Sequence, residues 1–297
     1  MRLRPDFRMP FFTTPQCANY PSERSERLTG GYKIDDKKVP SSEKTFFDNQ
    51  VIIILGPTGS GKTGVSIEIA KALNGEIISA DSRAIYKGMD IGTAKPTREE
   101  QQGIPHYGLD LVEPGERFTV ADWKAYAEAK ITDIISRGKV PIIVGGTGLY
   151  IDALIYDYHF KGSTGEKIGD IEQKTCSDRK EIKGDYLLVG IKWPTEELRA
   201  RLHKRITQMF CPGLYIETKK LVQKYGWGSG AMKSNIYEYA WQYLQGELTL
   251  EQVKERSFYE DWHLAKRQMT WFKRNKDIIW LPLEEVYSFV LKEYRSR

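Results

Sequence analysis

Cysteine is scarce in this chain: there are three in 297 residues, Cys17, Cys176 and Cys211, far apart and in no C-x-x-C spacing. That excludes an obvious thiolate zinc site and argues against a disulfide framework, and it fits a reducing, cytoplasmic setting. Long apolar runs are missing too. None approaches the length of a membrane span, so no membrane partner is expected. The N-terminus lacks the h-region of a secretory signal, and its acidic residues speak against an organelle transit peptide. Charge of one sign is not in large excess: the net value of +5 permits an anionic partner without demanding one. No internal repeat or low-complexity tract occurs. The length suffices for one large domain or two modest ones with a core that needs no staples.

Against this plain background one string stands out. Gly56-Pro57-Thr58-Gly59-Ser60-Gly61-Lys62-Thr63 directly follows the apolar run Val51-Ile52-Ile53-Ile54-Leu55 and precedes a segment with Val65, Ile67, Ile69 and Leu73 at helical spacing. The pattern G-x-x-x-x-G-K-T between a strand and a helix is a phosphate cradle. Its backbone N–H groups and the helix N-terminus face an anion, Lys62 adds a point charge, and Thr63 is placed to hold magnesium.

Residues 1–48 mix arginines with Glu23, Glu26, Asp35 and Asp36 and show no apolar periodicity, which reads as a disordered or loosely attached extension. Residues 49–160 read as a P-loop α/β core. Its second strand, 76–80, ends at Asp81-Ser82-Arg83; residues 107–112 form a further strand or strand edge; Thr119 caps a helix through Ser136; and a fully apolar strand, 140–144, closes in Gly145-Gly146-Thr147-Gly148. Residues 161–185 are polar and aperiodic and read as a linker. Residues 186–297 add a strand at 185–193, helices from Thr195 and at about 213–225, 234–246 and 249–275, and a final strand near 278–281. Strands alternating with helices predict a parallel sheet covered on both faces, with the site at the strands' C-terminal ends.

A P-loop alone suggests nucleoside triphosphate chemistry, in which an apolar strand commonly ends in a magnesium-binding Asp. The best such strand here ends in glycines and Thr147, which weighs against an NTPase. Those glycines either admit a ligand close to the backbone or simply make a strand-to-helix turn. Asp81 is either a turn former or, facing the P-loop, a general base or an outer ligand of magnesium. The string from Tyr86 to Pro96 is too particular in composition for an ordinary solvated loop. Near the C-terminus, Lys254, Arg256, Lys266, Arg267, Lys273, Arg274 and Lys276 recur with Trp262, Trp271 and Phe272. That mix suits either an RNA contact surface or an amphipathic helix with solvated lysines and core aromatics.

The P-loop, Ser79-Ala80-Asp81-Ser82-Arg83, residues 86–96 and Gly145-Gly146-Thr147-Gly148-Leu149-Tyr150, in that order, resemble the tRNA dimethylallyltransferase (tRNA isopentenyltransferase) family. The similarity resumes at 196–205 and at Ala265-Lys266-Arg267-Gln268-Met269-Thr270-Trp271-Phe272. The resemblance implies a P-loop NTPase-like parallel sheet flanked by helices, with a helical C-terminal part that faces tRNA. It implies transfer of a dimethylallyl group from dimethylallyl diphosphate to the exocyclic amine of the adenosine 3′ of the tRNA anticodon. Asp81 matches the catalytic aspartate; Lys62 and the loop 56–63 would hold the diphosphate; Thr63 would bind magnesium; and Thr147 would donate toward the bridging oxygen. Asp81, Ser82, Arg83, Tyr86, Lys87, Lys266, Arg267 and Gln268 would meet the anticodon stem-loop. No obligate protein partner is implied, and a monomer suffices.

The chain departs from the family in two places. Residues 161–185 replace a longer helical insertion that carries an arginine facing the diphosphate, and Arg179 stands nearly alone there. Ser234-Asn235-Ile236-Tyr237-Glu238 sits where the family often has a Gly-Tyr pair. Three other functions therefore stay open at this point: an isopentenyltransferase acting on free adenosine nucleotides, a P-loop small-molecule kinase, and a catalytically silent RNA-binding protein. The kinase is disfavoured because no arginine-rich lid is evident near the P-loop.

Overall fold

A strand of only β-branched residues and leucine, with no polar face, must be covered on both sides, and β1 (Val51–Leu55) is buried at every position. In the computed structural model, which describes residues 51–160, 181–228, 230–232 and 235–296, β1 lies inside a six-stranded sheet. Residues 1–48, Cys17, Cys176, Ser234 and most of 161–185, on which expectations were placed above, lie outside the described residues. The chain continues as α1 (Lys62–Leu73), β2 (Gly75–Ala80), a single turn α2 (Arg98–Gln101), β3 (His106–Tyr107), α3 (Val120–Ser136), β4 (Val140–Gly145) and α4 (Gly148–Ile155). After β5 (Tyr186–Lys192) come α5 (Thr195–Met209), α6 (Pro212–Tyr225), α7 (Asn235–Leu244), α8 (Leu250–Phe272), β6 (Ile279–Pro282) and α9 (Leu283–Arg295).

The strand order is β3-β2-β4-β1-β5-β6 and the pairings are parallel, with Ile53 opposite Ile143 on one side and Leu188 on the other. Alternate residues of β1 serve the two faces. Ile52 and Ile54 pack with Ile67, Ile69 and Ala70 of α1 and Val286 and Val290 of α9. Val51, Ile53 and Leu55 pack with Trp123, Ala127 and Ile131 of α3 and Ile151 and Leu154 of α4. A third apolar cluster joins α5, α6, α7 and α8, and Met89 and Ile91 from the long loop after β2 belong to it. The loop is thereby anchored to the helical part rather than to the sheet.

The Thr119 cap is a full capping box with Asp122, which fixes where α3 starts. The expected strand at 107–112 shrinks to His106–Tyr107. Gly108 (φ 80°) and Asp110 (φ 53°) turn the chain away from the sheet, leaving one bridge between Tyr86 and Val112. The helix α9 had no counterpart in the sequence reading, and α4 was anticipated only as the helix that a strand-to-helix turn at 145–148 would lead into. The Gly145-Gly146-Thr147-Gly148 run is a strand-to-helix turn: β4 ends there and α4 begins. The room the glycines leave is filled by protein. A Cβ on Gly146 would stand 2.3 Å from Gln268 Nε2, and one on Gly148 would stand 2.2 Å from the Trp271 ring, so α8 packs directly on this turn.

Candidate active site

All strands run the same way, so the chain leaving β1, β2 and β4 emerges at one edge of the sheet, and there lies a cavity of about 930 Å³. Its floor is the P-loop from Thr58 to Thr63. Asp81, Ser82 and Arg83 follow β2 on one side, Gly146, Thr147 and Gly148 follow β4, and Gly92, Thr93 and Ala94 of the long loop form a further wall. The helical part closes the site with Arg201, Lys204 and Arg205 of α5 and Asp261, Arg267 and Gln268 of α8. Of the residues singled out from sequence, Gly56 and Pro57 take part through their carbonyls. Tyr86, Lys87 and Lys266 lie outside the cavity lining.

Lys62 is half-buried, and its ammonium donates to the carbonyls of Gly56 (2.8 Å) and Pro57 (2.7 Å). Burial pulls its pKa down to about 7; the charge of Asp81 opposes that fall and Arg205 adds to it. Asp81 Oδ1 accepts from the amides of Arg83 (2.8 Å) and Ala84 (3.4 Å), the turn-forming geometry expected of an Asp after a strand, while the residue still faces the cavity. Turn former and candidate base are thus the same carboxylate. Thr147 Oγ1 accepts the Ser82 amide at 3.0 Å and donates to Ser82 Oγ at 3.3 Å.

Of the two strands beside β1, the fully apolar β4 ends in Gly145, so a glycine stands where such a strand in a hydrolase commonly ends in a metal-binding Asp. The carboxylate stands one strand further out, at Asp81. Among the described residues no group of three His, Cys, Asp or Glu could hold a metal. Magnesium does not require one. It keeps waters and phosphate oxygens and needs one or two protein oxygens, and the exposed Thr63 hydroxyl on the cavity floor fits that need.

The absence of an arginine-rich lid, read from sequence, is corrected here. α5 buries Leu198, Leu202 and Ile206 and turns Arg201, Lys204 and Arg205 toward the cavity. Arg201 Nε donates to Gly59 O at 2.9 Å and its guanidinium lies 4.4 Å from the Trp193 ring centroid. Arg205 donates to the Thr58 hydroxyl and, at 3.0 Å, to Asp261 Oδ2. Burial raises the pKa of Asp261, with Arg205 opposing the shift. The apolar spacing on α5 was legible; nothing in it said that the polar face met the Thr58–Gly59 loop rather than water.

The loop at 86–96 has a physical account as well. Lys95 is buried and donates to Tyr86 O (2.8 Å), Asp90 Oδ1 (2.7 Å) and Asp110 Oδ1 (2.6 Å). The half-buried Glu217 accepts through its carboxylate from the amides of Ile91 (2.9 Å) and Gly92 (3.1 Å) and from the Tyr237 hydroxyl (2.7 Å), and desolvation raises its pKa. On α8, Trp262 packs on the helical cluster, while Trp271 packs on the sheet-side cluster, donates to Asp152 at 3.0 Å and also lines the cavity.

A family model described as IPP transferase matches residues 84–168 and 161–275, and one described as isopentenyl transferase matches residues 49–111. A tRNA dimethylallyltransferase of Staphylococcus haemolyticus is 38% identical over 290 positions, which take in 79% of this chain and 87% of that protein. The one from Acetivibrio thermocellus is 37% identical, over 80% of this chain and 93% of its own. Among solved structures, a tRNA delta(2)-isopentenylpyrophosphate transferase from Staphylococcus epidermidis superposes with a TM-score of 0.73 at 34% identity, covering 84% of this chain and all of that one (100%). A eukaryotic dimethylallyltransferase acting on tRNA gives 0.68 at 25% identity, with 79% and 74% covered.

Proposed function

The chain belongs to the IPP transferase family, with a P-loop NTPase-like parallel sheet and a helical C-terminal part, and from that premise we infer how its cavity works. The protein is a tRNA dimethylallyltransferase. It moves the dimethylallyl group of dimethylallyl diphosphate to the exocyclic amine of the adenosine 3′ of the anticodon and releases pyrophosphate. The observation that carries the reading is the composition of one cavity: a phosphate loop ringed by cations, a carboxylate across from it, and glycine where a hydrolase keeps its metal ligand.

The diphosphate lies on the amides of residues 59 and 61–63 and at the N-terminus of α1, where the partial charge of the helix favours an anion; the amides of Thr58 and Ser60 are taken by Gln268 Oε1 and Pro57 O. Lys62, Arg201 and Arg205 supply the countercharge. As the adenosine nitrogen bonds to the first carbon of the dimethylallyl group, the carbon–oxygen bond breaks and the electron pair leaves with pyrophosphate. These cations meet the growing charge, the setting in which preorganised donors matter most. Asp81 takes the proton that the amine loses; an adenine amine is a poor nucleophile, so this step needs a positioned base. Thr147 keeps the Ser82 amide as donor to its oxygen and offers its own hydrogen to the bridging oxygen in place of the long contact to Ser82 Oγ. When bound at Thr63, magnesium would further neutralise the diphosphate.

The target base must leave the anticodon-loop stack to enter the cavity. Arg83 and Arg267 stand exposed at the lining, and we assign them, with Lys266 on the outer surface of α8, to the RNA backbone. No described helix is long and apolar enough to cross a membrane. The test is an acceptor comparison with labelled dimethylallyl diphosphate. Label should pass to unmodified tRNA; transfer only to free adenosine phosphates would move the assignment to a nucleotide enzyme.

A further inference from the structure

The helix α8 grips the phosphate loop at one residue through two routes. Thr58 donates its amide N–H to Gln268 Oε1 at 2.8 Å. The Thr58 hydroxyl accepts from Arg205, and the same guanidinium nitrogen donates to Asp261 Oδ2 at 3.0 Å. Asp261 and Gln268 are two helical turns apart and so lie on one face of α8. Gln268 does not stop at the P-loop: its Nε2 donates to Gly146 O at 3.0 Å. The orientation of this amide is dictated by its partners, since a backbone N–H can only donate and a carbonyl can only accept. Gly146 has room for no side chain because Gln268 occupies the space a Cβ would need.

The two segments that Gln268 joins, the P-loop and the turn carrying Thr147, flank the space where the diphosphate and its bridging oxygen belong. We propose that Gln268 is a positioning residue of the diphosphate site, holding these two segments at fixed separation, and that it does not read tRNA. Asp261 is its counterpart on the second route, aiming Arg205 at the loop. Both ends of the Gln268 amide, its oxygen and its nitrogen, are engaged with backbone, which fixes the side chain's orientation between the two segments. Sites whose supporting side chains are locked lose less freedom when the ligand arrives. The inference rests on the transferase reading above and refines it.

The test is the affinity of inorganic pyrophosphate, measured by calorimetry without tRNA, together with KM for dimethylallyl diphosphate and KM for tRNA. For Gln268→Ala we expect pyrophosphate affinity to fall and KM for dimethylallyl diphosphate to rise, each about tenfold, the scale of one lost buried hydrogen-bonded group. KM for tRNA should move less than about twofold. Gln268→Glu should bind pyrophosphate more weakly still, because its second oxygen faces the Gly146 carbonyl and its charge faces the diphosphate. Gln268→Met, close in volume, serves as the second variant if the alanine chain fails to fold. Unchanged pyrophosphate affinity with a raised KM for tRNA would overturn the proposal. If the wild-type protein transfers nothing to tRNA while Gln268→Ala still loses pyrophosphate, the transferase reading fails and the positioning role stands.

Discussion

Thr147 Oγ1 accepts the amide of Ser82 at 3.0 Å, so the turn after β4 holds the residue that follows the candidate base. The contact spans two strand ends, β2 and β4, which are neighbours in the sheet. The same hydroxyl lines the cavity. One side chain thus fixes the Asp81 loop and, in the proposed reaction, would present a hydrogen to the leaving group. Thr147→Ala removes both roles and should lower kcat by about 10²-fold, the lower end of what losing one preorganised donor costs. Thr147→Ser keeps the hydroxyl and should stay within about tenfold of wild type. Equal losses in the two variants, measured at saturating substrates, would mean that the methyl group matters and the hydroxyl does not.

Lys62 gives the reaction a pH signature. With its pKa at about 7 in the free protein, the ammonium form dominates below that pH and is lost above it. A diphosphate binds the charged form better, so it raises that pKa and its binding takes up a proton above pH 7. Affinity should therefore be full below about pH 7 and decline as pH rises, until it levels off at the pKa of the complex. Diphosphate ionisation contributes its own slope, and Lys62→Met isolates it. The difference between wild type and Lys62→Met in pyrophosphate affinity should shrink steadily from pH 7 to 9. A constant difference would show that Lys62 stays charged throughout.

Glu217 should matter for stability before it matters for chemistry. It lies outside the cavity lining, yet it satisfies two loop amides and a buried tyrosine hydroxyl. Glu217→Ala leaves those donors buried without an acceptor, at about 1–3 kcal/mol for each such group. The thermal midpoint should drop by several degrees, and transfer should fall because Gly92, Thr93 and Ala94 lose their support. Glu217→Gln retains an acceptor oxygen and should unfold much closer to wild type. A Glu217→Ala protein that melts with the wild type would contradict this account of the loop.

The sequence was most legible where local chemistry and tertiary demand agree. The all-apolar β1 and β4, the glycine-rich turn before Lys62 and the Thr119–Asp122 capping box each have one structural solution. It was less legible where burial erases periodicity: α4 is apolar at most positions and buried from Tyr150 to Ile155, which leaves no polar face to mark a helix. The helix α9 alternates apolar and charged residues with a clear apolar stripe at Val286 and Val290, and its start is masked by the adjoining short strand β6. Site residues divided along similar lines. Lys62, Thr63, Asp81 and Thr147 sit in motifs beside strand ends and meet in one cavity. Arg201, Arg205 and Asp261 come from two helices far apart in the chain, and a helical pattern reports which face is apolar without saying what the polar face meets. Gln268 was expected among the tRNA contacts; its bonds to the Thr58 amide and the Gly146 carbonyl join segments far apart in the chain, which no local pattern on α8 announces.

The central claim is that Asp81 takes a proton from an adenosine amine while the P-loop holds the departing diphosphate. Asp81→Asn tests it most directly, because an asparagine oxygen can still accept from the Arg83 and Ala84 amides and preserve the turn. The measurement is single-turnover transfer of labelled dimethylallyl groups to unmodified tRNA, with substrate binding checked separately. The account predicts transfer by the wild-type protein and a loss of about 10²-fold or more in Asp81→Asn with little change in diphosphate affinity. Transfer by Asp81→Asn within a few-fold of wild type would contradict it.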